Sequence, residues 1–210
     1  MNENVKAFLK DVKDLLNDCE FNKIYLKCRS ELQPFEVGEF TSMLLACNIN
    51  PLLYMHEVPD FFLYENKNIE SIAIPNNIKD INVGAFSRSQ IKEISIPSSV
   101  MQIRMNAFGQ CDHLEKIHLE DIAKFTSIKF MGRWSNPFYS KRHLFYSKVE
   151  GYYKGMSFTE MGIYYDIPLR GISSFDSFYE EEPITFYKEE PEYLKVNPFI
   201  VPSPIRVGKF

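Results

Sequence analysis

Ile69–Gln90 reads IESIAIPNNIKDINVGAFSRSQ, and the stretch that follows it, Ile91–His113, reads IKEISIPSSVMQIRMNAFGQCDH. Ile69, Ile72, Ile74, Pro75, Ile81, Ala85 and Phe86 recur as Ile91, Ile94, Ile96, Pro97, Ile103, Ala107 and Phe108, each 22 residues on, and Ile78 recurs as Val100. A further unit opens 23 residues after the second with Leu114, Ile117 and Leu119. Upstream, Val58 and Phe62-Leu63 stand one period before Ile81 and Ala85-Phe86. Two full repeats are therefore flanked by partial ones.

A unit of this length cannot hide its own apolar row, so neighbouring units must stack and share a core. The Ile-x-x-Ile-x-Ile stretch alternates and is rich in β-branched residues, which predicts strands over 70–75, 92–97 and 115–119. The proline after each cannot continue a central ladder and marks a corner. The Ala-Phe pair supplies one small residue and one large plug for the interior.

The pattern resembles the BspA-like leucine-rich repeat, whose units run approximately LxxIxIPxxVxxIGxxAFxxCxxL. Ile91 to Leu114 follow it closely, with Cys111 at the family's cysteine position. The preceding unit has Ser89 there, and its Val83-Gly84 falls one residue late. The resemblance spans residues 58–124 and implies a short solenoid that serves as a binding scaffold, with no catalytic residues to carry over.

The flanks read differently. Val5, Phe8, Leu9, Val12, Leu15 and Leu16 have amphipathic helical spacing, which predicts a helix over 3–17. Residues 22–30, NKIYLKCRS, alternate enough for a strand or extended connector. Ser30 with Gln33 reads as a capping box leading through Pro34 into a helix that ends near Cys47, and Asn50-Pro51 as the start of a shorter helical turn. After residue 125 the repeat dissolves into aromatic-rich segments, SIKFMGRW, HLFYSKV, GYYKGMSF, MGIYYDIPL and ITFYKEE, each expected as a short strand. The tail NPFIVPSPIRVGKF is expected to be extended. The fold expected is α+β, with an N-terminal helical cap over 1–57, repeats over 58–124 and a β-rich aromatic part over 125–210.

Composition narrows the function. The 210 residues are 45% hydrophobic and 25% charged, which excludes wholesale disorder, and the net charge of −4 excludes a nucleic-acid-binding polycation. The N-terminus has no basic segment leading into an apolar run, and no apolar stretch is long enough to span a bilayer, so a cytoplasmic protein without membrane contact is expected. Cys19, Cys28, Cys47 and Cys111 form no C-x-x-C pair and read as free thiols. Cys111, Asp112, His113 and His118 lie close in sequence, but Cys111 falls at a buried repeat position and His118 on a strand, so no metal or other cofactor is expected. No motif of nucleophilic or phosphate-binding chemistry occurs, so no catalytic residue is named and no enzyme is expected.

What remains is binding to a protein target. Strand alternation presents Ser71 and Ala73, Glu93 and Ser95, Lys116 and His118 outward. That ladder is too small to bury the roughly 800 Å² per partner of a standard interface, so the C-terminal aromatics are expected to contribute most of the contact as the recognition surface, with the repeats as their rigid support. Adjacent ring pairs there put one member of each pair outside the core, and Trp134, Tyr139, Tyr146, Tyr153, Tyr165 and Tyr179 join the candidate surface. The other class of partner is nucleic acid, through Arg133, Lys141, Arg142, Lys148 and Lys154 interleaved with rings. The acidic run over 176–192 can pair with those cations within the chain, which weighs against it. A short chain rich in Asn, Lys and Ile, with ends unrelated to the repeats, suits a phage or mobile-element accessory protein that inhibits a host protein.

Overall fold

In the computed structural model, which describes residues 18–132, 134–139, 149–161, 164–165 and 186–187, the alternating segments form β2 (Ser71–Ala73), β4 (Glu93–Ile96) and β6 (Lys116–Leu119). They pair in parallel and in the register of the repeat, Ile72 beside Ile94 and Ile94 beside Ile117. Their inward isoleucines are buried, and each hidden side chain stabilises by roughly 1.5–3 kcal/mol. A second parallel sheet was not anticipated: β1 (Glu57–Val58), β3 (Asp80–Ile81), β5 (Gln102–Arg104) and β7 (Lys129–Met131). Val58, Ile81 and Ile103, the later β-branched apolar residue of each unit, point from it into the same core. The chain is thus a short solenoid whose turns contribute one strand to each of two sheets.

The bend that follows each Ala-Phe pair is fixed by backbone geometry. Phe61, Gly84 and Asn106 precede the pairs at φ 58°, 63° and 58°, and Glu65, Arg88 and Gln110 follow them at 54°, 57° and 59°. These are left-handed conformations, which cost a side chain about 1–2 kcal/mol. Only Gly84 meets its position with glycine, and a Cβ there would lie 2.8 Å from the Phe61 ring. Turn-to-turn hydrogen bonds hold the geometry: Leu63 N–H donates to Ala85, Phe86 to Ala107, and Arg88 to Gly109. Inside the bend Asn66, Ser89 and Cys111 occupy one buried position in successive turns. Asn66 Oδ1 accepts from Asn68 and Ile69 N–H, and Cys111 Sγ donates to the Phe86 carbonyl at 3.0 Å.

Both sheets continue past residue 125, where the sequence repeat was expected to dissolve. A short α-helix, Ile122–Thr126, leads into β7, whose Lys129 pairs with Gln102, a step of 27 residues. β8 (Glu150–Tyr153) pairs in parallel with β6, Glu150 beside Lys116, a step of 34. These longer steps hide the periodicity without breaking the ladder. β9 (Met156–Ser157) then turns back antiparallel on β8 and ends the sheet. Gly151 lets the Phe158 ring lie over the strand, since a Cβ there would meet the ring at 2.3 Å. Phe125, Phe130, Phe138, Val149 and Phe158 belong to the same core as the repeats. β10 (Tyr164–Tyr165) and β11 (Phe186–Tyr187), from the MGIYYDIPL and ITFYKEE segments, form a separate antiparallel pair.

At the other end, residues 22–30 are helical rather than extended, within α1 (Asp18–Ser30). Three adjacent apolar residues suggested alternation, but Tyr25 alone of Ile24-Tyr25-Leu26 is buried. Its hydroxyl shares a hydrogen bond with Thr41 at 2.9 Å, and its ring stacks on Phe40. Burial pushes the Tyr25 phenol up to about 12, partly offset by the Thr41 bond. α2 (Pro34–Ala46) is capped three residues later than expected: Gln33 is its N-cap and donates its backbone N–H to Glu36 Oε2, while Ser30 bonds back to the Lys27 carbonyl. Pro51–Tyr54 forms the expected short turn, with Asn50 Oδ1 accepting from Leu52 N–H. Leu44, Ile49, Leu52 and Met55 close the first turn of the solenoid. The helix expected over 3–17, the acidic run 176–182 and 189–192 and the tail from 196 lie outside the described residues.

Candidate outer-face recognition site

Parallel registry turns strand alternation into rows. Across the first sheet, Ser71, Glu93, Lys116 and Glu150 stand side by side, and next to them Ala73, Ser95, His118 and Tyr152. Ser71, Ala73 and Lys116 are exposed, and Glu93, Ser95, His118, Glu150 and Tyr152 are half-exposed, while the residues between them are buried. The face is built of contacts that cross the turns. Glu93 Oε1 lies 2.6 Å from His118 Nε2 without the alignment of a hydrogen bond. On its other side the His118 ring stacks on Tyr152 at 4.8 Å with planes 23° apart. Lys116 Nζ leans over the same Tyr152 ring at 5.8 Å. Glu150 accepts hydrogen bonds from the Thr159 N–H and hydroxyl, tying the row to the terminal hairpin.

Beyond His118 the strand ends leave a shallow depression of about 210 Å³, lined by Ile74, Asn76, Ser95, Pro97, Leu119 and Glu120, with His118 as its wall. Glu120 Oε2 accepts both the N–H and the hydroxyl of Ser98 at 2.7 Å. The Ser98 N–H, then its hydroxyl, holds the Glu120 carboxyl below its ordinary range, so it is ionised at neutral pH.

A second open depression lies at the bends, lined by Glu65, Arg88, Ser89, Gln110, Asp112 and His113 among others. Lys67 also lines it, and Arg88 is already engaged: it donates to Glu65 at 2.9 Å and to Gln110 at 3.0 Å, and its guanidinium lies 5.9 Å over the Tyr64 ring. The Arg88 bond is what lowers the Glu65 carboxyl. Cys111, near it in sequence, is buried and its thiol is pushed up to about 12, mainly by desolvation, which suppresses thiolate chemistry. Among the described residues no group of three His, Cys, Asp or Glu is placed to hold a metal ion, and no helix is long and apolar enough to cross a membrane.

The sequence-chosen residues divide accordingly. Ser71, Glu93, Ser95, Lys116 and His118 are brought together on one face. Of the Tyr152-Tyr153 pair, Tyr152 is the outward ring, whereas Tyr153 packs against the core with Lys154 Nζ 5.1 Å over it. Trp134 is half-buried at φ 57°, and its carbonyl accepts from Phe108 N–H, so it shapes a bend. Tyr165 enters only through its backbone pairing with Phe186. The Tyr139 side chain, Tyr146, Tyr179, Arg133, Lys141, Arg142 and Lys148 lie outside the described residues. Tyr152, Glu150 and Glu120 complete the face but were not chosen. Glu120 is the third member of the Pro75, Pro97 row, and that repeat position was a usable signal; the 34-residue step concealed the other two.

A family model described as BspA type leucine rich repeat region matches residues 16–136, in six copies. Searches of curated proteins and of solved structures each found no match.

Proposed function

The chain belongs to the BspA-type leucine-rich-repeat family, and from that premise we propose that it is a non-catalytic protein-binding module whose recognition face is the outer ladder ending at Tyr152. Repeats of this kind serve as scaffolds that present side chains, and the observation carrying the reading is the row Ser95, His118, Tyr152. An imidazole and a phenol stacked face to face on the outer side of the sheet are fixed by their neighbours and still show part of each ring to solvent. Such rings on a fixed support make good contact residues, because little side-chain freedom is left to lose on binding. The aromatic segments beyond residue 161 adjoin the same end of the chain in sequence and would enlarge the contact toward standard size.

The finer reading is inhibition of a host protein by a phage or mobile-element product. It rests on the composition and a rigid face that can act by occupying a target. The test is capture by the full chain from a lysate of its source, with mass spectrometry of what is held, beside Tyr152→Ala and His118→Ala variants. The expected result is nuclease-resistant capture of one protein that both variants weaken at unchanged melting temperature. Capture that is unaffected by both variants overturns the outer face. Capture that falls steeply with salt and is lost to nuclease overturns the protein reading in favour of nucleic acid.

A further inference from the structure

We propose that the depression between His118, Pro97 and Glu120 receives a lysine or arginine side chain carried by an extended segment of the partner protein. The inference rests on the outer ladder being the recognition face and adds the chemistry of what it recognises.

Charge complementarity singles out a cation. The Glu120 carboxylate is fixed at the rim by two bonds from Ser98, both on Oε2, and no described Lys, Arg or His lies within ion-pair distance of it. The lysines of this face are otherwise engaged. Lys92 pairs with Glu70 at 2.8 Å, Lys116 covers Tyr152 and Lys154 covers Tyr153. His118 has Glu93 as its carboxylate. Among the described residues the rim therefore keeps an uncompensated negative charge, pre-oriented before any ligand arrives.

Shape agrees with charge. Ile74, Pro97 and Leu119 give the depression an apolar side, against which a long aliphatic stem can lie while its charged head stays wet beside Glu120. At about 210 Å³ the space suits one side chain rather than a drug-sized ligand. An extended segment crossing the parallel rows would place that side chain beside the His118–Tyr152 stack. A phosphate or a carboxylate would instead meet Glu120 and Glu93.

The test is a titration of the isotope-labelled full chain, followed by NMR amide shifts, with acetyl-Gly-Val-Arg-Val-Gly-amide and with analogues carrying Gln or Glu in place of Arg. The arginine peptide is expected to move the amides of Asn76, Ser95, Ser98, His118 and Glu120 and to bind about fivefold more tightly than the glutamine analogue, the size of one partly exposed charge pair. Glu120→Gln, which keeps an acceptor for Ser98, should erase that preference, and Glu39→Gln on α2 should keep it. Equal binding of the three peptides at the ladder overturns the cation site while leaving the recognition face standing. Shifts scattered over other acidic surfaces, or lost equally in Glu39→Gln, overturn it as diffuse attraction. Absence of any shift along the ladder overturns the cation site, while the face itself stands or falls with the capture experiment.

Discussion

Phe86 and Phe108 fill the same position in successive turns, and their rings stack 5.3 Å apart with planes 20° apart. Phe62 meets Phe86 edge-on from the turn before, at 6.3 Å. A ring in this column is a contact between turns as much as a filling within one.

Phe86→Ala and Phe108→Ala are each expected to lower the unfolding free energy by about 3–5 kcal/mol, because both rings are buried and leave a cavity. The double variant should cost less than the sum, by roughly the 0.5–1.5 kcal/mol of a stacked pair. Denaturant unfolding of the three variants measures it, and strict additivity would mean the rings do not couple.

Gly84 and Asn106 are the same bend in neighbouring turns but should respond differently. Gly84→Ala must hold a side chain at φ 63° against the Phe61 ring and is expected to cost about 1–2 kcal/mol. Asn106→Gly removes a strained side chain at φ 58°, and the gain should roughly offset the added freedom of the unfolded chain, giving a change near zero. Thermal melts of both variants are the check.

The Cys111 thiol and the Tyr25 phenol, pushed up to about 12 from ordinary values of 9.0 and 10.0, give stability an alkaline limit. Both are acids that the fold keeps protonated, so the native state binds more protons than the unfolded chain between the two values. Their contribution is full below about 9 and is lost as pH climbs toward 12. Denaturant midpoints should fall over that window, and Cys111→Ser should flatten the part of the fall nearest 9. Alkylation at pH 8 with peptide mapping should modify exposed Cys28 and spare Cys111.

Deleting residues 126–210 should abolish cooperative unfolding rather than leave a trimmed repeat. The cut removes Phe130, Phe138 and Phe158 from the core and bares Phe125, which packs edge-on against the first two. Losses of this kind, at about 3–5 kcal/mol per ring, exceed the 5–15 kcal/mol that a whole domain holds in reserve or come close to it. Circular dichroism and calorimetry of the truncated chain decide the matter; a sharp melt near that of the full chain would refute it.

The strands of the first sheet were legible because Ile72, Ile94 and Ile117 recur at even steps and alternate with polar neighbours. The second sheet was not, because two-residue strands such as Asp80–Ile81 are too short to show alternation. Its clue was the recurrence of Ile81 as Ile103, which a stacked pair of strands explains. The continuation through Lys129 and Glu150 escaped for another reason: bends of unequal length sit between units whose strands still register. Within the site, Glu93, Lys116 and His118 followed from alternation alone. Choosing Tyr152 over Tyr153 needed the pairing of β8 with β6, which only tertiary structure supplies.

The antiparallel return of β9 on β8 bears on how such a chain can change in length. It closes one end of the first sheet, so a further parallel strand has no place to pair beyond β8. The units between Ile69 and His113, by contrast, begin and end in the same register on both sheets. A tandem duplication of one such unit, the 22 residues Ile69–Gln90, would slot in as one more turn and lengthen the outer face. Evolution, or an engineer, can therefore vary the reach of this protein by copying its middle, while its ends stay constant.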